Sequence, residues 1–154
     1  MSTSAATSTI VKEITIHAPA AKVFAALTDP AQLPQWWGEA GRYQVDRMTS
    51  DLRVGGHWRS EGTSADGSTF SVEGIYRVVD PPHVVEMTWK HDWEEDAEET
   101  VVRYDLAERE GSTHLRVTHS GFTNASSREA HAGGWDQVLS WMSAYVTNAA
   151  RLQS

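Results

Sequence analysis

The sequence predicts an α+β fold in which a seven-stranded curved antiparallel sheet wraps a long C-terminal helix, with two short helices after the first strand. Three observations carry this reading. Between Gly41 and His119, short segments of alternating apolar and polar residues recur, separated by Gly-, Asp- and Pro-containing turns, the pattern of an antiparallel meander. From Trp135 onward, apolar residues fall at a period of 3.6 along one helical face. A lone amphipathic helix beside a single sheet can bury its stripe only by lying across that sheet.

The elements follow in order. Ile10–His17 is the first strand, irregular at Lys12 and cleanly alternating through Ile14 and Ile16. Pro19 stands where a first helical turn begins, and Val23, Phe24 and Leu27 give that helix one apolar face. Asp29, in Thr28-Asp29-Pro30, is the expected N-cap of a second short helix. Pro34 prevents a long continuation, and the pair ends near Trp36-Trp37. Strands then follow at Tyr43–Met48 and Leu52–Ser60, the latter kinked at Gly55-Gly56 as at a bulge. Ala65-Asp66-Gly67 makes a hairpin turn into Phe70–Val79, which Asp80-Pro81-Pro82 stops. Val84–His91, Thr100–Glu108 and Thr113–His119 complete the sheet, with Glu110-Gly111 turning between the last two. The final helix has Ser126 and Glu129 in capping-box spacing. It buries Trp135, Val138, Leu139, Met142, Tyr145, Val146 and Ala149, with Trp141 at the edge of the stripe. Gly133-Gly134 costs such a helix about 1 kcal/mol per glycine relative to Ala. Either the backbone approaches the sheet or a ligand closely there, or the helix starts later, at Gly134.

Composition narrows the function classes. A chain of 154 residues with 40% hydrophobic content can bury a real core. With no cysteine, thiol catalysis, disulfides and cysteine-ligated zinc are excluded. The net charge of −8 argues against a nucleic-acid partner, since phosphates require a basic footprint. Most of that charge is local: Asp92, Glu94, Glu95, Asp96, Glu98 and Glu99 stand together with no Lys or Arg among them. Residues 1–9 are rich in Ser, Thr and Ala and read as a disordered tail without the features of a secretory signal. No apolar run approaches the roughly 18 residues of a membrane span, so the expected address is cytoplasmic. Seven tryptophans are many for this length, and each must be buried, stacked or used.

Strand parity sorts side chains between the two faces. Val85, Met87, Trp89 and His91 share the inner face, opposite Glu86, Thr88 and Lys90. By the same argument Val102, Tyr104, Leu106, Leu115, Val117 and His119 point inward. So do Phe70, Val72, Tyr76 and Val78, and Leu52, Val54 and Trp58. Apolar walls with sparse polar tips suit a small-molecule pocket and equally an ordinary filled core.

Trp36-Trp37 after the short helices and the run Arg53-Val54-Gly55-Gly56-His57-Trp58 are followed by Pro81-Pro82 and then Trp89. Further on come Leu115-x-Val117-x-His119-Ser120-Gly121-Phe122 and the helical Gly134-Trp135. In this order and spacing the motifs resemble the SRPBCC (START-like, helix-grip) superfamily, specifically the branch named for the C-terminal domain of the heat-shock-protein ATPase activator. The resemblance implies one START-like domain over residues 10–150, a link to the stress response, and a cavity between sheet and helix. Lipids, polyketides or other hydrophobic ligands are the occupants it implies. The candidate ligand contacts are Trp37, Trp58, Tyr76, Met87, Trp89, Tyr104, His119, Trp135, Leu139 and Met142.

Chemistry beyond binding has little support in the residues. No close histidine pair with metal-ligand spacing occurs, no nucleotide loop or nucleophile elbow is present, and parity places every strand acid outside. No cofactor, metal site or catalytic residue is therefore expected. The leading expectation is binding of a small hydrophobic ligand for carriage or sensing. One alternative is a protein-interaction module of the chaperone-regulator type, docking through the acidic loop 92–99 and Trp93. Another is a cyclase-like enzyme acting on a bound aromatic or polyketide, with His119 or Tyr104 as the proton-transfer group.

Overall fold

The structure, a computed structural model, describes residues 9–92 and 98–153. The expected tail lies outside this span except for Thr9, which opens the first strand. β1 (Thr9–Ile16) leads into α1 (Ala20–Thr28) and α2 (Leu33–Trp36). Then come β2 (Gly38–Glu39), β3 (Tyr43–Ser50), β4 (His57–Ser64) and β5 (Thr69–Asp80). β6 (Val84–His91), β7 (Thr100–Arg109), β8 (Ser112–Ser120) and the long α3 (Ala125–Gln153) complete the chain. All strand neighbours are antiparallel, in the order β1-β8-β7-β6-β5-β4-β3-β2. The seven expected strands are joined by β2, whose two residues are too few to carry a period. β1 pairs with β8, Ile10 opposite His119 and Ile14 opposite Leu115, so the first strand lands beside the last.

Helix α3 packs along β1 and against α1 and α2. It buries Trp135, Val138, Leu139, Met142 and Val146 against the concave face of the sheet. Its cap differs from the expected Ser126–Glu129 box. The Asn124 side chain accepts the Ser127 N–H at 3.0 Å, so the helix begins two residues earlier, at Ala125. For α1, Pro19 is the cap residue and offers no side-chain bond. Glu108 from the end of β7 supplies it instead, accepting the Ala20 N–H at 2.7 Å and placing a carboxylate on the positive helix end. Asp29 caps the turn ahead of α2 rather than the helix: its carboxylate accepts from Ala31 N–H at 2.9 Å and Gln32 Nε2 at 3.1 Å.

Two parity assignments are corrected. Leu52 and Val54 are exposed by 38% and 66%, because residues 51–56 form a tight loop and β4 starts only at His57. Gly55, at φ 85°, donates to the Tyr76 carbonyl at 2.8 Å and holds this loop on β5. In β5 the register shifts between Tyr76 and Val78. The extra residue reverses the alternation beyond it, so Val79, opposite inward Val85, packs on the core, while Val78 lies opposite outward Glu86. The convex face carries crossed ion pairs, such as Arg59–Glu73 at 2.8 Å and Arg103–Asp105 at 3.1 Å. Exposed pairs of this kind contribute little individually.

Candidate functional site

A cavity of about 430 Å³ opens between the concave face of β3–β7, the two short helices and the first half of α3. Four tryptophans form its framework. Trp89 on β6 sits among them, 5.4 Å from Trp58, 5.9 Å from Trp135 and 6.0 Å from Trp37 between ring centroids. These separations fall in the range of favourable offset and edge contacts. Trp58 is fixed by its indole N–H, which donates to the Thr88 carbonyl at 3.2 Å. Room for that ring comes from Gly74, opposite Trp58, where a Cβ would meet the Thr88 carbonyl oxygen at 1.9 Å. Trp36 and Trp37 divide their roles: Trp36 is buried and donates to the Ala26 carbonyl at 3.0 Å, tying α2 to α1. Trp37 is half-buried and faces the cavity.

Of the candidate contacts, Trp37, Trp58, Met87, Trp89, Tyr104 and Trp135 line this space together. Tyr76, His119, Leu139 and Met142 lie behind the wall. Tyr76 is buried and shares a 2.7 Å hydrogen bond with Ser50 Oγ. Leu139, next to the lining Val138, and Met142, one turn further along α3, fill the core below the cavity. The structure also brings in Tyr43, Val45 and Met48 from β3, Ser60 from β4 and Phe70 from β5. Parity does turn Ser60 and Phe70 inward, Ser60 being two residues from Trp58. In β3 a register shift between Val45 and Arg47 breaks the alternation, so Met48 and Val45 both face in. Gly134 lines the cavity as well, and a Cβ built on either glycine of the pair meets nothing within 4 Å. The glycines therefore mark open space rather than a close approach, and the helix runs through them unbroken.

His119 has both ring nitrogens committed. The Trp135 indole N–H donates to Nδ1 at 3.0 Å. The Thr100 hydroxyl donates to the Trp89 carbonyl at 3.1 Å, so the His119 Nε2–H must donate to Thr100 Oγ1, at 2.7 Å. This fixes a neutral tautomer. Burial, followed by the neighbouring His131 and His91, pulls the His119 pKa down to about 2. An imidazole so bound holds Trp135 in the cavity wall and has no position left for proton transfer. Tyr104 is buried at 2% exposure, and desolvation, reinforced by Tyr76, drives its phenol pKa up, so it stays protonated. At the outer part of the lining Arg42 contributes the one permanent charge. Its guanidinium is 59% exposed and pairs with Glu39 at 2.8 Å.

Within the acidic run, Trp93, Glu94, Glu95 and Asp96 lie outside the described residues. The flanking acids have local tasks. Asp92 accepts from Ser71 N–H at 2.8 Å and Ser71 Oγ at 3.0 Å. Glu98 accepts the Thr123 N–H at 2.9 Å and its hydroxyl, pinning the chain ahead of α3. Although desolvation opposes them, these bonds hold the Glu98 carboxyl below its ordinary pKa. Among the described residues, no group of three His, Asp or Glu side chains is placed to hold a metal ion, and no helix is long and apolar enough to cross a membrane.

Comparison with known proteins places the family and the fold. A family model described as activator of Hsp90 ATPase homolog 1-like protein matches residues 17–147. A crystal structure of a Chromobacterium violaceum protein superposes with a TM-score of 0.80 at 24% identity, covering 91% of this chain and 97% of that one. A Rhodobacter sphaeroides protein gives 0.78 at 22% identity, with 96% and 95% covered. The solution structure of an AHSA1-like protein from Aeromonas hydrophila gives 0.75 at 23%, with 92% and 94% covered. At these identities the likeness shows the fold. No curated protein matches the chain in sequence.

Proposed function

From a chain that belongs to the activator of Hsp90 ATPase homolog 1-like family, we propose a small-molecule binding function, with a hydrophobic ligand held between the sheet and α3. The observation that carries this reading is the cavity itself. A volume of about 430 Å³ lies within the range of ligand sites, and native cores rarely leave that much space among well-packed aromatic rings. Its lining is chiefly aromatic and aliphatic, with a few hydroxyls, one arginine and the His131 imidazole, which suits an apolar ligand with a limited polar part. The neutral His119, hydrogen-bonded through both ring nitrogens, supports carriage or sensing over chemistry, because that imidazole lies behind the wall and holds Trp135 in place.

The test is a thermal-shift panel of fatty acids, naphthalenes and polycyclic aromatics, with native mass spectrometry of the purified protein. A ligand present at 100 times its dissociation constant stabilises the fold by about 2.7 kcal/mol, a shift of several degrees for a chain of this size. A panel without any shift, together with a spectrum free of adducts, would overturn the reading.

A further inference from the structure

Tyr104 is the least explained polar group of the cavity. It projects from the middle of β7, where Val85 and Val117 flank it across the ladders, and its ring meets Trp135 edge-on at 6.0 Å. The ring is buried and lines the cavity. Nevertheless its hydroxyl has no protein partner among the described residues. Buried hydroxyls are nearly always matched, and the neighbouring Tyr76 shows the usual solution in its bond to Ser50. The Trp89 indole N–H also lacks an acceptor, but that nitrogen is sealed within the packing. With the Ser60 hydroxyl, which also lines the cavity, Tyr104 is therefore a donor that an occupant can meet, and it is the one set beside the Trp135 ring.

The surroundings select the kind of acceptor. A carboxylate brought to Tyr104 would lose its hydration, and Arg42, the one permanent charge of the lining, is at its exposed side. A neutral oxygen suffers no such loss. The flat rings of Trp37, Trp58, Trp89 and Trp135 favour a planar partner, since offset and edge contacts add to area burial.

Resting on the binding function proposed above, we infer that the ligand is a planar aromatic molecule carrying a neutral carbonyl or ether oxygen, which accepts the Tyr104 hydroxyl proton at the deep end of the cavity. An occupant without that oxygen displaces the water that would serve the hydroxyl and leaves a buried donor unmatched.

Two probes of nearly equal shape separate the effects: 2-acetylnaphthalene and 2-isopropenylnaphthalene, in which a methylene replaces the carbonyl oxygen. Titration of the full chain, followed by tryptophan fluorescence, should show the ketone bound roughly 5- to 100-fold more tightly, the span of leaving a buried donor unmatched. In Tyr104→Phe the preference should collapse to within about 2-fold, chiefly through weaker binding of the ketone. Equal affinity of the two probes for the wild-type chain would overturn the role of Tyr104 and leave the binding function standing. A preference that survives in Tyr104→Phe would overturn it as well. If neither probe binds while members of the fatty-acid panel do, the planar aromatic class is wrong. Failure of every panel member removes the binding function itself.

Discussion

Replacement of His119 by Ala removes the acceptor of the Trp135 indole and a donor to Thr100 in one step. An unmatched buried N–H costs about 1–3 kcal/mol, and truncation of a fully buried side chain adds a cavity term, so the sum is about 3–5 kcal/mol. Against a typical stability of roughly 5–15 kcal/mol, that is a large fraction. The pH dependence follows from the same contacts. Below pH 6.5 the unfolded chain protonates His119, whereas the folded chain, with a His119 pKa of about 2, does not. The unfolded state thus binds more protons, and stability falls as pH falls. The contribution is fully present above pH 6.5 and is lost progressively between 6.5 and about 2. By pH 5 the loss is about 2 kcal/mol. Urea denaturation followed by circular dichroism at pH 7.5 and pH 5 measures both effects. His119→Asn retains an acceptor near the Nδ1 position without an ionisable ring, and should lose about 2 kcal/mol less than wild type between the two pH values. The reasoning is refuted if His119→Ala costs under 1 kcal/mol, or if His119→Asn and wild type lose stability in parallel.

Three further substitutions probe the frame around the cavity. Gly134→Ala should raise stability by up to about 1 kcal/mol in urea melts, since the added methyl meets nothing within 4 Å. Asn124→Ala should cost about 1 kcal/mol, by removing the acceptor of the Ser127 N–H. Gly74→Ala should cost about 1–3 kcal/mol, because its Cβ collides with the Thr88 backbone and displaces the Trp58 indole from that carbonyl. Near-ultraviolet circular dichroism of the tryptophans would report that displacement.

Alternation and helical periodicity made most of the fold legible, because the charged residues of β6, β7 and β8 leave only one face for the core. They failed where the backbone departs from a plain period. The bulge beyond Tyr76 turned Val78 outward, and the loop before His57 exposed Leu52 and Val54. The cap of α1 was invisible for a different reason. Glu108 reaches α1 from a strand 88 residues away in sequence, and no local motif records such a contact. The site was half legible: parity turned Trp58, Met87, Trp89 and Tyr104 to the right face, and helical period did so for Trp135. Parity cannot tell a wall from the packing behind it, which is why Tyr76, Leu139 and Met142 could not be separated from the lining. For His119, inward parity left a ligand or proton-transfer role open beside a structural bond, and the donor and acceptor inventory of Trp135 and Thr100 commits both ring nitrogens within the protein.

The central claim is that the space beside Gly134 is a binding site. It is tested most directly by titrating 8-anilinonaphthalene-1-sulfonate, a flat apolar probe whose anionic group suits the Arg42 side of the lining, into wild type and Gly134→Phe, with fluorescence detection. Gly134 lines the cavity and leaves open space for a side chain, so a phenyl ring there should occupy it. The expected result is saturable binding to the wild-type chain that is reduced at least 10-fold in Gly134→Phe, with the circular dichroism spectrum and melting temperature retained. Undiminished binding by a folded Gly134→Phe variant would contradict the account.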